Sequence, residues 1–155
     1  MFNGGGLGAL VLFAVIGMIV GIVVGIAFYI FYAYALYRLA KSRNIEMAWL
    51  AWIPIAHMYV VGKLAKSIKI SDIEIPSLEI VLPVSMVVYI LLNRITVLGT
   101  IITLLFIVLN LLSLYSIYKQ YVPENAVVYT VLSILVIPVP FFLLKLSKTE
   151  PVSIP

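Results

Sequence analysis

Leu36-Tyr37-Arg38-Leu39-Ala40-Lys41 closes one apolar block and leads, through a short polar link, into a second block broken by Ile53-Pro54-Ile55. The arrangement returns later, where Leu114-Tyr115-Ser116-Ile117-Tyr118-Lys119 precedes a block broken at Ile137-Pro138-Val139-Pro140. Each unit reads as a helix ending in Leu-Tyr-x-(Leu/Ile)-x-Lys, a turn, and an apolar helix interrupted by proline. Proline removes a hydrogen bond from a helix interior, and a bilayer supplies no water to replace it. The pattern therefore implies an all-α, polytopic transmembrane bundle with an internal repeat of helix, turn and broken helix. The freed carbonyls would be answered by protein or by a wet cavity.

Composition supports that class. The 155 residues are 65% hydrophobic and 10% charged, with a mean hydropathy of +1.23. Ordinary globular domains run at roughly 45–50% apolar and about 25% charged. The whole chain, 1–155, reads as a single integral membrane domain of the cell membrane, with 1–6 as a flexible leader and 147–155 as a disordered tail. The absence of cysteine excludes disulfides, thiolate metal sites and cysteine nucleophiles. A formal charge of +4, spread singly beside apolar blocks, suits lipid headgroups and not nucleic acid.

Five apolar segments follow in order: Leu7 to Tyr37, Glu46 to Ala65, Leu78 to Leu92, Ile95 to Tyr118, and Ala126 to Leu146. The first has no charge before Arg38, which is not the pattern of a signal peptide, and reads as an uncleaved span. Arg38, Lys41 and Arg43 after it place the N-terminus outside. Asn44 reads as the cap of segment two, with Glu46 in its first turn. The uninterrupted apolar part of that segment ends at Gly62, short for a crossing, so it either spans with a kink or is re-entrant. Five crossings leave Arg38, Lys41, Arg43, Arg94, Lys145 and Lys148 inside, against Lys63, Lys66, Lys69 and Lys119 outside. A re-entrant second segment changes that balance by a single residue. Five crossings is the expectation carried forward. Between segments two and three, Ser67-Ile68-Lys69-Ile70 and Asp72-Ile73-Glu74-Ile75 alternate with a strand-like period, which an amphipathic stretch lying on the membrane would share.

Candidate sites are few. Gly17, Gly21 and Gly25 form a glycine zipper on segment one, a groove for a second helix. Packing inside the chain is the preferred use of it, and homo- or hetero-oligomerisation the other. Pro54 and Pro138 are the helix breaks. His57 and Asn110 are polar contacts in the bundle, the histidine taking up carbonyls that Pro54 frees. Tyr37, Trp49 and Trp52 are interface anchors. No carboxylate accompanies His57, no catalytic pair has workable spacing, and the acids all lie in loops or at segment ends. No enzyme activity, cofactor or metal is expected.

The run from Leu36 to Ala65 also resembles a group of small, uncharacterised bacterial multi-pass membrane proteins. The resemblance rests on Lys41, Trp49, Ile53-Pro54-Ile55, Tyr59 and Lys63. His57 falls near where those proteins place asparagine, which implies a hydrogen-bonding role. The resemblance brings no activity across. The expected function is a packing or assembly partner in a membrane complex, with the lipid bilayer as its surroundings. The alternative is a small transporter or permeation subunit that uses the Pro54 and Pro138 breaks.

Overall fold

From Gly4 to Ser42 the chain contains no proline and no charge before Arg38, so nothing interrupts helix propagation. In the computed structural model, which describes residues 4–70 and 73–152, this stretch is one helix of 39 residues, α1. At 1.5 Å per residue it is about 58 Å long. The glycines at positions 4–6 are part of it, so the expected leader is helical from Gly4, and residues 1–3 lie outside the described residues. Asn44 ends α1 instead of capping the next segment. It adopts φ 55°, and the Asn44 and Ile45 amides donate to the Lys41 and Ala40 carbonyls, the two bonds of a Schellman motif.

Segment two is not one helix. A five-residue 3-10 turn, Ala48–Trp52, rises along α1. The chain reverses at Pro54 and Ile55, and the nine-residue α2, His57–Ala65, returns. The rise is fixed by Trp52, whose ring meets Tyr37 and whose carbonyl accepts from the Tyr29 hydroxyl at 3.2 Å. The return is fixed by α4 (Thr96–Tyr121, 26 residues). The Ser116 hydroxyl shares its one proton between the Ala65 and Ser67 carbonyls, and Gln120 Nε2 donates to that of Leu64. The carboxyl ends of α1, α2 and α4 therefore meet at one face, where Arg43 also donates to Gln120 and Tyr121.

The alternating stretch forms two short antiparallel strands, β1 (Ile68–Ile70) and β2 (Ile73–Ile75), which set Lys69 opposite Glu74 and lead into α3, Leu78–Leu92. Helix α3 leaves from the level of Gly62, is tied there by the Lys63–Glu79 ion pair at 3.2 Å, and runs back against α4. Tyr89 stacks on Phe106 with ring centroids 5.0 Å apart.

Segment five repeats the outline of segment two. After a 3-10 turn, α5 (Ala126–Ser133) rises along α4, the chain reverses, and α6 (Val139–Leu146) descends against α1, with Phe31 meeting Phe141 edge to face. Each hairpin arm is about 10–14 Å long, against the roughly 30 Å of a hydrocarbon core. The expectation of five crossing segments is thus corrected. Two helices, α1 and α4, are long and apolar enough to cross a membrane, while α3 is apolar but 15 residues long. The tail is not loose as far as Val152, whose amide donates to the Gln120 carbonyl at 2.8 Å. Residues 153–155 lie outside the described residues.

Two pairings relate the units. Each long helix packs on its own rising arm and on the descending arm of the other hairpin. Both long helices run the same way, so a pseudo-two-fold axis relating them lies along the bundle and not across it, as an inverted repeat would require.

The tightest junction is Gly62, where a Cβ would run into the backbone of Leu78 and Glu79. Gly62→Ala should lower stability by about 1–3 kcal/mol, the range for overpacking, in thermal unfolding in detergent. Gly8→Ala, which meets nothing within 4 Å, should leave the transition unmoved.

Candidate functional site

Because α1 and α4 meet the hairpins only with their carboxyl-terminal halves, they stand apart above the hairpin tips. An open groove of about 520 Å³ lies between them. Phe28, Tyr29 and Tyr32 form one wall and Phe106, Asn110 and Leu114 the other. The floor includes Ser133 and Val136, at the second reversal. The lining is aromatic and aliphatic with a few polar groups, the usual make-up of a site for an apolar ligand.

Those polar groups are held in place. Asn110 Nδ2 donates back to the Phe106 carbonyl at 2.8 Å, which leaves the amide oxygen for the groove. Ser133 Oγ gives its proton to the Tyr129 carbonyl at 2.7 Å, so the buried Tyr118 hydroxyl, 2.9 Å away, is the donor to Ser133. Tyr29 is committed to Trp52. Tyr32 closes the groove towards His57, ring edge to ring face at 5.7 Å between centroids.

The carbonyls around Pro54, which the sequence assigns to His57, also find backbone donors. Proline at 54 would orphan the Leu50 carbonyl, but the Ile53 amide reaches it at 3.1 Å, and the His57 amide takes the Ile53 carbonyl at 2.9 Å. The backbone thus satisfies itself through short turns. Among the described residues, Nδ1 of His57 is buried without a hydrogen-bond partner. His57 and Asn110 also stay apart, since Asn110 lines the groove and His57 lies behind Tyr32.

The two reversals share a local geometry that the prolines did not announce. The Ala56 amide donates to the Pro54 carbonyl and the Ile137 amide to the Leu135 carbonyl, each closing a three-residue turn. The residues between are Ile55, φ 72°, and Val136, φ 62°. These are γ-turns of positive φ, rare for any residue and worst for β-branched ones. Pro54 precedes its tip residue, whereas Pro138 follows its own as the N-cap of α6, with Pro140 in the first turn, where proline is favourable. The turn repeats, and the prolines are not equivalent within it.

The remaining expected residues separate. Gly17, Gly21 and Gly25 face open space: beyond the helix's own backbone and chain neighbours, no described residue comes within 4 Å of an added Cβ. Packing of this face inside the chain is therefore corrected: α1 touches the bundle only from Phe28 onward, too far along for any other helix to reach the glycines. Trp49 and Trp52 are exposed on the first hairpin, and Tyr37 lies against Trp52. Sequence reasoning missed Ser116 and Gln120, which hold α2. Their signal was a polar seam along α4, Asn110-Ser113-Ser116-Gln120, on an otherwise apolar helix. Among the described residues no three His, Asp or Glu side chains converge as metal ligands would. No family model, curated protein or solved structure matches this chain.

Strain at the tips is testable. Ile55→Gly and Val136→Gly remove a β-branched residue from positive φ, at positions where both side chains are exposed. Relief of about 1–3 kcal/mol of backbone strain should offset the small loss of burial, so each variant should melt no lower than the parent in detergent.

Proposed function

We propose that this is a multi-pass protein of the cell membrane without catalytic machinery, which crosses three times, dips twice, and serves as a packing subunit of a membrane complex. The observation that carries the assembly role is the bare amino-terminal half of α1. Residues 6–27 are exposed throughout, and the glycine face has no neighbour among the described residues. Glycine weakens a helix interior by about 1 kcal/mol per residue, and three with no neighbour bring nothing in return. Small residues at that spacing are what let a second transmembrane helix approach closely.

Charge supports the orientation. All of the 10 Lys and Arg except Arg94 belong to the end where α1, α2, α4 and α6 finish. Five crossings would have divided them nearly evenly. With both hairpins re-entrant, the positive-inside rule puts the charged end in the cytoplasm, with the N-terminus and the Asn93-Arg94 turn outside. Helix α3, about 22 Å long, then crosses with the help of Arg94 snorkelling to the outer surface. The sequence lacks cysteine, so single cysteines report cleanly. At positions 42, 67, 124 and 149 they should be shielded from an impermeant maleimide in intact cells, while one at 93 should react. Labelling at 67 and 124 with protection at 93 would restore five crossings.

For the assembly role, the complex released by mild detergent should exceed one chain in mass. Gly21→Leu should reduce it towards the monomer, and Gly8→Leu should not. A monomeric parent that neither change affects would remove this reading. The groove favours a second one, permeation of a small apolar solute past Asn110. There Asn110→Leu should abolish flux into liposomes without changing the mass of the complex.

A further inference from the structure

A second, smaller cavity of about 180 Å³ lies at the charged end, between the carboxyl ends of α1 and α6 and the end of α4. Two cations line it, Arg43 and Lys148, with one carboxylate, Glu150. Arg43 is already positioned: one guanidinium nitrogen donates to Gln120 Oε1 at 3.0 Å, another to the Tyr121 hydroxyl at 3.3 Å, and the group sits 5.5 Å from the centre of the Tyr121 ring. Gln120 is itself fixed by donating to Leu64 and Ser116. A guanidinium has five N–H donors, so most of its donors stay open, on a side chain that binding need not immobilise.

The hydroxyls around the cavity have the opposite character. Ser42, Ser147 and Thr149 donate their protons to the carbonyls of Leu39, Leu144 and Lys145. They therefore present acceptor oxygens. The cavity offers an anion two cations, and it offers a hydroxyl-bearing neighbour several acceptors, with one net positive charge. A bare phosphate would use only the first set, and an ammonium only the second. The cavity lies where two long apolar helices end, the depth at which basic pockets meet lipid headgroups.

We infer that this cavity binds an acidic phospholipid of the inner leaflet whose headgroup joins a phosphate monoanion to free hydroxyls, the phosphate on Arg43 and Lys148 and the hydroxyls on Ser42, Ser147 and Thr149. The choice of the inner leaflet, and not the site itself, rests on the membrane orientation proposed above. Binding in detergent is read independently of sidedness, so labelling could reverse the orientation while this site stands, or confirm it while this site fails.

The purified full-length protein should be titrated by native mass spectrometry with phosphatidylglycerol, phosphatidylethanolamine and phosphatidylcholine. Phosphatidylglycerol should be retained in preference to the other two. Lys148→Gln should weaken it about fivefold, the effect of one lysine at an anionic surface, whereas Lys66→Gln, away from the cavity, should not. Equal losses in the two variants would mean a diffuse basic surface and overturn the site. Preference for phosphatidylethanolamine would overturn the hydroxyl assignment. Displacement by glycerol phosphate at a concentration equal to the lipid's would identify a soluble phosphate ester as the ligand and overturn the lipid.

Discussion

The carboxyl end of α2 carries carbonyls with no partner in their own helix, and in an apolar setting they must find donors. Ser116 and Gln120 of α4 supply them. Most of the architecture depends on this one requirement. It draws the end of α2 down to the end of α4, which makes segment two a hairpin instead of a crossing. It sets Gly62 against the start of α3 and fixes the direction in which α3 leaves. Through Gln120 it also locks Arg43, and so ties the end of α1 to the same face.

The parts of the fold that the sequence made legible were those decided locally. Helices α1, α3 and α4 follow from apolar runs bounded by polar turns, and the strand pair follows from a period of two. The hairpins were not legible, because a returning half-length arm is as apolar as a crossing one. What distinguishes the first of them is a pair of polar side chains, Ser116 and Gln120, some fifty residues away. Asn44 misled for a related reason: asparagine serves both the start and the end of helices, and only the α1 carbonyls it sits over decide which. At the breaks, the prolines drew attention while the strain lies on Ile55 and Val136.

The groove and the bare half of α1 have a common origin. The hairpins fill the space between the long helices only near the charged end, since their arms have only five to nine residues each. Towards the other end nothing separates α1 from α4. One consequence is the cavity holding Asn110 and Ser133, and the other is a helix whose glycines meet no side chain. A partner that covered the glycine face would also change how far α1 can lean, and with it the width of the groove.

The order in which the chain is made adds a constraint of its own. Helix α1 leaves the ribosome before α6, yet α6 is the element that packs along the lower half of α1. An arm of eight residues is too short to partition into the bilayer as an independent span, so it must dock on helices already in place. Until α6 has been made, the apolar flank around Phe31 lacks the Phe141 ring as its neighbour. Loss of α6 would therefore expose the flank of α1 as much as the site of the cut, and quality control should read such a product as an unfinished α1.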